Sequence, residues 1–251
     1  MRTHAQFAIL DCEDEPGWAG HERLWIGPMA RPDERWDVFR VWAGALPATP
    51  EAYDGYIITG SHHSVNDATQ AWLEPLFAFV RRCAQAAPNG PQLVGACFGA
   101  QVLGRALGGR VSPNVSGRFL FGTEQIALHA DFHRTWFAPA PSADVPYAVL
   151  RLLTSHGEYV CDLPPHATLW AASARCPHEV FTHGQHALGI QGHAELSVAD
   201  LHDNILPRLR EGGRLSPQEE ADALQSLTLP VDSAYVLRCV RGFLDGTPAR
   251  R

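Results

Sequence analysis

Residues 93–104 read LVGACFGAQVLG: an apolar run, a cysteine between two glycines, then apolar residues at helical spacing. A strand that turns this sharply into a helix carries one side chain at its tip, at the C-terminal edge of a sheet. Crowding at the tip demands small neighbours two residues to either side, and Gly95 and Gly99 supply them. The pattern therefore dictates a strand, a bend and a helix in that order. It also sets the Cys97 thiol at a helix N-terminus, where free N–H groups and the helix dipole favour a thiolate. The N–H of Phe98 would point to where an oxyanion forms. The plainer alternative is a small core residue ending a buried strand.

The surrounding pattern agrees with such a sheet. AQFAILDC (5–12), WDVFRVWAG (36–44), YDGYIITGS (53–61) and PQLVGAC (91–97) read as strands. DATQAWLEPLFAFVRRCAQAA (67–87) has Trp72, Leu76, Phe79, Val80 and Cys83 near one helical face, with Pro75 early or at a kink. FGAQVLGRALGG (98–109) reads as a helix closed by glycines. Strands separated by helices predict an α/β fold, a mostly parallel sheet covered on both faces.

Short strand-like runs fill residues 122–195, with HGQHA as a hairpin turn, and predict a small antiparallel extension. Helices are expected at 197–211, 216–226 and 231–245, the second opened by Ser216 as N-cap, Pro217 at N1 and Glu219 at N3. Residues 12–35 and 130–147 read as loops, LPPHA (163–167) as a turn and strand start. Trp18, Trp25, Trp136 and Phe137 fall in the loops, as packing residues or as an apolar wall for a bulky group.

The 251 residues suit one large domain, expected over 1–251 with a core of about 5–211 and C-terminal helices over about 212–247. A net charge of −7 and the lack of any Lys/Arg run exclude the usual nucleic-acid binders. No apolar stretch is long enough for a membrane span, and MRTHAQFAILDCEDE lacks a signal-peptide core, so the expected location is cytoplasmic. Cys12, Cys83, Cys97, Cys161, Cys176 and Cys239 form no CxxC pair and are expected as free thiols.

A thiol nucleophile needs a histidine base and a group that orients it. Among 13 histidines, His193 in GIQGHAEL (189–196) is the best placed. A short strand ends at Gly192, and Glu195 two residues after His193 would face the same way in extended backbone. His156 also has a glutamate at +2, Glu158, and is the rival. His62 and His63 read first as polar loop residues. His129-x-Asp131-x-His133 has metal-like spacing, but neither metal nor cofactor is expected.

Together these residues resemble the class I, triad-type glutamine amidotransferases. GACFGAQ resembles that family's nucleophile motif, and GIQGHAE its His-x-Glu motif, with Ala194 where proline is usual. ITGSHHS (58–64) falls at its oxyanion loop without the usual Gly-Gly-Pro, and TSHGEYV (154–160) resembles its Ser-His-Gly turn. The resemblance spans about residues 36–200 and implies a flavodoxin-like, doubly wound sheet with its site at the carboxyl ends of the strands. It implies Cys97, His193 and Glu195 as catalytic, Gly60 and Phe98 as oxyanion donors, and Gln101, Ser155, His156 and Gly157 as substrate-binding.

The runs DVFRVWAG, YDGYIITGS, GRALGG, VSG, LPPHA and GIQGHAE look like the stand-alone, GMP-synthase-like branch and the γ-glutamyl peptidases within it. That likeness implies hydrolysis of a γ-glutamyl amide, a small-molecule partner, through a thioester. Two alternatives stay open: a glutaminase subunit that hands ammonia to a separate synthase, and a silent binding or regulatory member.

Overall fold

The structure, a computed structural model, describes residues 4–86, 88–132 and 149–246. Strands β1 (Gln6–Asp11), β2 (Arg35–Arg40), β3 (Gly55–Ile58) and β4 (Gln92–Ala96) build one half of a nine-stranded sheet. Helix α1 (Arg23–Met29) joins β1 to β2, α2 (Leu73–Gln85) joins β3 to β4, and α3 (Phe98–Ala106) follows β4, while only two short 3-10 turns separate β2 from β3. The order β2-β1-β3-β4-β11 is parallel throughout, with β11 at Ala187–Ile190. This is the flavodoxin-like arrangement, in which ligands sit outside the carboxyl ends of the strands.

Strands β1, β3, β4 and β11 are buried on both faces, which is why they read as near-continuous apolar runs, whereas the edge strand β2 (RWDVFR) is only half-buried and carries charged residues. Ala8, Leu10, Tyr56, Ile58 and Leu93 pack on Leu76, Phe79 and Val80 of α2 and Ala100, Val102 and Leu103 of α3. The alternate residues Phe7, Ile9, Ile57 and Val94 point the other way. They meet Trp25 and Met29 of α1 and Val236, Val240 and Phe243 of the last helix, α6 (Ser233–Leu244). Pro75 is the third residue of α2, where a missing N–H leaves no hydrogen bond unmade.

The antiparallel part is larger than a small extension. Beyond β11, strands β10 (Val180–His183), β9 (Ala167–Ser173), β6 (Leu120–Leu128) and β7 (Val149–His156) continue the same sheet, each antiparallel to its neighbour. A separate pair joins β5 (Arg110–Pro113) to β8 (Glu158–Asp162). HGQHA is the β10–β11 hairpin, pairing His183 with Ala187.

The chain then runs through a helical turn at Val198–Asp200, a π-helical turn at Leu201–Ile205, α4 (Leu206–Glu211) and α5 (Pro217–Ser226). Ser216 and Glu219 close the expected capping box on α5. Leu201, Leu206, Leu209 and Ala223 pack over Phe121 and Leu153. Residues 12–35 are not a plain loop. They contain α1, and Trp25 is buried on that helix. His133, Trp136 and Phe137 lie outside the described residues.

Candidate active site

Cys97 sits between β4 and α3 with φ 50° and ψ −107°, a conformation an L-residue adopts only under constraint. The constraint is visible on both sides. A Cβ on Gly95 would run into the Gly99 carbonyl, and one on Gly99 into the Ile58 carbonyl. Both glycines of G-x-C-x-G are therefore required by packing. The Cys97 N–H donates to the Ile190 carbonyl at 2.8 Å, so β11 holds the bend in place. Phe98 opens α3, and its N–H has no acceptor within the helix.

The same strand end delivers His193. Strand β11 stops at Ile190, two residues short of Gly192, and a bent segment follows. The His193 N–H donates to the Leu153 carbonyl at 2.8 Å, an isolated bridge to β7. Ala194 turns into the apolar core. Its neighbours His193 and Glu195 face the other way, and His193 Nδ1 donates to Glu195 Oε1 at 2.7 Å. Gly60 lies opposite: a Cβ there would be 3.3 Å from His193 Cε1 and 3.9 Å from Cys97 Cβ. The structure thus brings Cys97, His193, Glu195, Gly60 and Phe98 to one place, at the carboxyl ends of β3, β4 and β11.

Burial works against a charged His193. The Glu195 and Cys97 charges and hydrogen bonds with both outweigh it and hold the imidazole well above its ordinary pKa. The other buried thiols are quiet: burial pushes Cys12, Cys83, Cys176 and Cys239 up, Cys83 to about 12. All six cysteines are free.

The Ser155-His156-Gly157 turn forms the facing wall, with the Ser155 carbonyl 3.7 Å from Cys97 Sγ. His156 is buried and behaves unlike His193. Desolvation, then the neighbouring His193 charge, lowers it to about 3. Its Nδ1 lies 3.0 Å from both Asn114 Oδ1 and the Glu158 carbonyl. Its Nε2 is buried without a protein partner. The Glu158 carboxylate turns away and accepts from Ser64 Oγ at 2.6 Å. Gln101 Nε2 donates to the Glu158 carbonyl at 2.8 Å, so part of this side chain is spent clamping α3 to β8.

Two residues that sequence reasoning missed support the loop after β3. Glu13 accepts from the His62 N–H at 2.9 Å and from His62 Nδ1 at 2.6 Å, and Asp14 Oδ1 lies 3.0 Å from His63 Nε2. Glu13 raises the His62 pKa. The sequence carries an acidic run, DCEDE, and a His-His pair 49 residues further on, and nothing local joins them. Asp14, His62 and His63 offer one donor atom each within 4.8 Å of one another, the group among the described residues that could hold a cation.

All these elements open onto one cleft of about 840 Å³. Cys97 and His193 line it, together with the apolar side chains of Trp18, Leu24, Phe119, Ile205 and Leu209. Trp18 thus does line the cleft, as does part of Trp25. Among the described residues no helix is long and apolar enough to cross a membrane.

Gamma-glutamyl peptidase 3 of Arabidopsis thaliana is 30% identical to this chain over 248 residues, 95% of each. Solved glutamine amidotransferases from Thermotoga maritima (TM-score 0.72, 19% identity, 97% of this chain and 98% of that one) and Methylobacillus flagellatus (TM-score 0.71, 20% identity, 100% and 98%) share its fold. No protein-family model matches the sequence.

Proposed function

The chain belongs to the γ-glutamyl peptidase family, within the class I glutamine amidotransferases, and from that premise we propose that it hydrolyses a γ-glutamyl amide through a thioester on Cys97. The observation that carries the proposal is the placement of His193 between Cys97 and a buried Glu195.

The Cys97 thiolate attacks the γ-carbonyl carbon. The Phe98 and Gly60 N–H groups receive the oxyanion; losing one such donor costs about 3 kcal/mol of barrier. His193 gives its proton to the departing nitrogen as the C–N bond breaks, leaving the γ-glutamyl thioester. It then takes a proton from water, which attacks the thioester. The C–S bond breaks and glutamate leaves. Proton transfer of this kind contributes about 10²- to 10⁴-fold. Glu195 keeps the imidazole in the required tautomer. Ser155, His156, Gly157 and the free part of Gln101 hold the glutamyl end.

The apolar lining of the cleft supports a leaving amine larger than ammonia. This favours a free-standing hydrolase over a subunit feeding ammonia to a synthase. Glutamate release by the purified chain tests the reading, with a γ-glutamyl dipeptide, a γ-glutamyl anilide and glutamine as substrates. Turnover of the conjugates, lost in Cys97→Ala, is the expected result. Retained activity in Cys97→Ala removes the nucleophile assignment. Turnover of glutamine alone moves the reading to an ammonia donor.

A further inference from the structure

Arg118, Arg208 and Arg214 line the cleft, in a chain whose net charge is −7. Two of them are matched by carboxylates. Arg118 Nη1 lies 2.9 Å from Glu219 Oε1, and Arg208 Nη2 3.3 Å from Glu15 Oε1. Among the described residues no carboxylate pairs with Arg214. Its guanidinium instead lies over the Phe119 ring, 5.2 Å from the centroid.

The position is a built one. The Arg214 N–H donates to the Leu209 carbonyl at 2.9 Å, just past the end of α4, and Leu209 is buried. Arg214 Nη2 reaches the Ser155-His156-Gly157 turn: a Cβ on Gly157 would stand 3.0 Å from it. That turn carries the Ser155 carbonyl facing the Cys97 sulfur. A guanidinium stacked on an aromatic face keeps its in-plane donors free and pre-oriented, and its fork fits a carboxylate.

We propose that Arg214 receives a free carboxylate of the substrate. The inference rests on the hydrolase function proposed for the cleft, because every γ-glutamyl compound carries an α-carboxylate and a γ-glutamyl peptide carries a second one on its leaving group. Either carboxylate has the chemistry Arg214 selects. A glycine at 157 leaves room for the side chain to lie there. The residue belongs to the segment between α4 and α5, outside the strand ends that carry Cys97 and His193.

The test compares wild type, Arg214→Gln and Arg214→Lys on three substrates: a γ-glutamyl dipeptide, the same dipeptide as its C-terminal amide, and γ-glutamyl anilide. Arg214→Gln is expected to lower kcat/KM by roughly 10- to 100-fold, mostly through KM, the range for a hydrogen bond to a charged group. Arg214→Lys should recover part of the loss. A loss on all three substrates assigns the α-carboxylate. A loss confined to the free dipeptide assigns the leaving group's carboxylate. Changes under threefold on every substrate, roughly the spread of one weak contact, overturn the proposal while leaving the hydrolase reading intact. A wild type inactive on all three overturns both. Arg214 is exposed, so unchanged thermal melting should accompany either variant.

Discussion

His156-Gly157-Glu158 and His193-Ala194-Glu195 spell the same pattern in one chain, within one cleft, and the fold treats them in opposite ways. At 193–195 the middle residue is buried in the core, so its neighbours share the outer side and their side chains meet at 2.7 Å. At 156–158 the pattern straddles the end of β7 and the start of β8. There His156 bonds the Glu158 backbone and the Glu158 carboxylate serves Ser64. One imidazole is held charged beside a sulfur. The other is held neutral by desolvation. A His-x-Glu match therefore carries chemical meaning only once the path of the residue between is known.

The largest expected effect separates the two histidines by rate. His193→Ala should lower kcat by about 10²- to 10⁴-fold, the range for losing a general acid-base group. His156→Ala should act mainly on KM and stability. Equal kcat losses in steady-state assays would break the comparison.

The glutamates come next. Glu195→Gln removes the acceptor that orients His193 and should cost about 10²-fold or more in kcat. Glu158→Gln keeps the backbone carbonyl that His156 uses, and should change kcat by less than about threefold because only contacts to Ser64 and Asn66 weaken. A large kcat loss at Glu158 would make His156 the catalytic base.

The pH dependence of stability should run in opposite directions. His156 is lowered to about 3 in the fold, so the unfolded chain takes up its proton first. Its stabilisation is present above about pH 6.5 and falls by about 1.4 kcal/mol per unit below that, until the folded value is reached. The His156→Gln deficit should therefore shrink on acidification. His193 is raised in the fold. Its contribution is present below about 6.5 and is lost as pH climbs through the folded value. Urea midpoints of both glutamine variants across pH 5 to 9 check the two signs. Parallel slopes would refute the contrast between a charged His193 and a neutral His156.

The smallest effect concerns the tether of His156. Asn114 is buried, and its Nδ2 donates to the Arg118 and His156 carbonyls at 2.9 and 2.8 Å. Asn114→Ala should cost about 1–3 kcal/mol of stability and leave the His193 side of the cleft unaltered. A kcat change beyond threefold in this variant would show that the two histidines are coupled more tightly than the hydrogen bonds indicate.

Much of this molecule was legible in one dimension because its rules are local. The G-x-C-x-G bend follows from sterics within a few residues, since any Cβ at Gly95 or Gly99 meets backbone. The inner parallel strands β1, β3, β4 and β11 are legible because burial on both faces makes them largely apolar. The α5 cap is four residues long and closes on itself. What the chain alone left open depended on distant partners. The single sheet that absorbs β10, β9, β6 and β7 is set by long-range pairing. So is the helix carrying Trp25, whose apolar side is visible only against α6. Glu13 and Asp14 acquire a role because β1 and β3 end side by side. Identical His-x-Glu patterns diverge because desolvation and neighbouring charge are properties of an environment. Arg214 reaches the Ser-His-Gly turn only because the segment after α4 is folded back against it, the Arg214 backbone N–H donating to the Leu209 carbonyl and its side chain lying beside Gly157. Local sterics thus chose the bend, and tertiary packing chose the charges that face it.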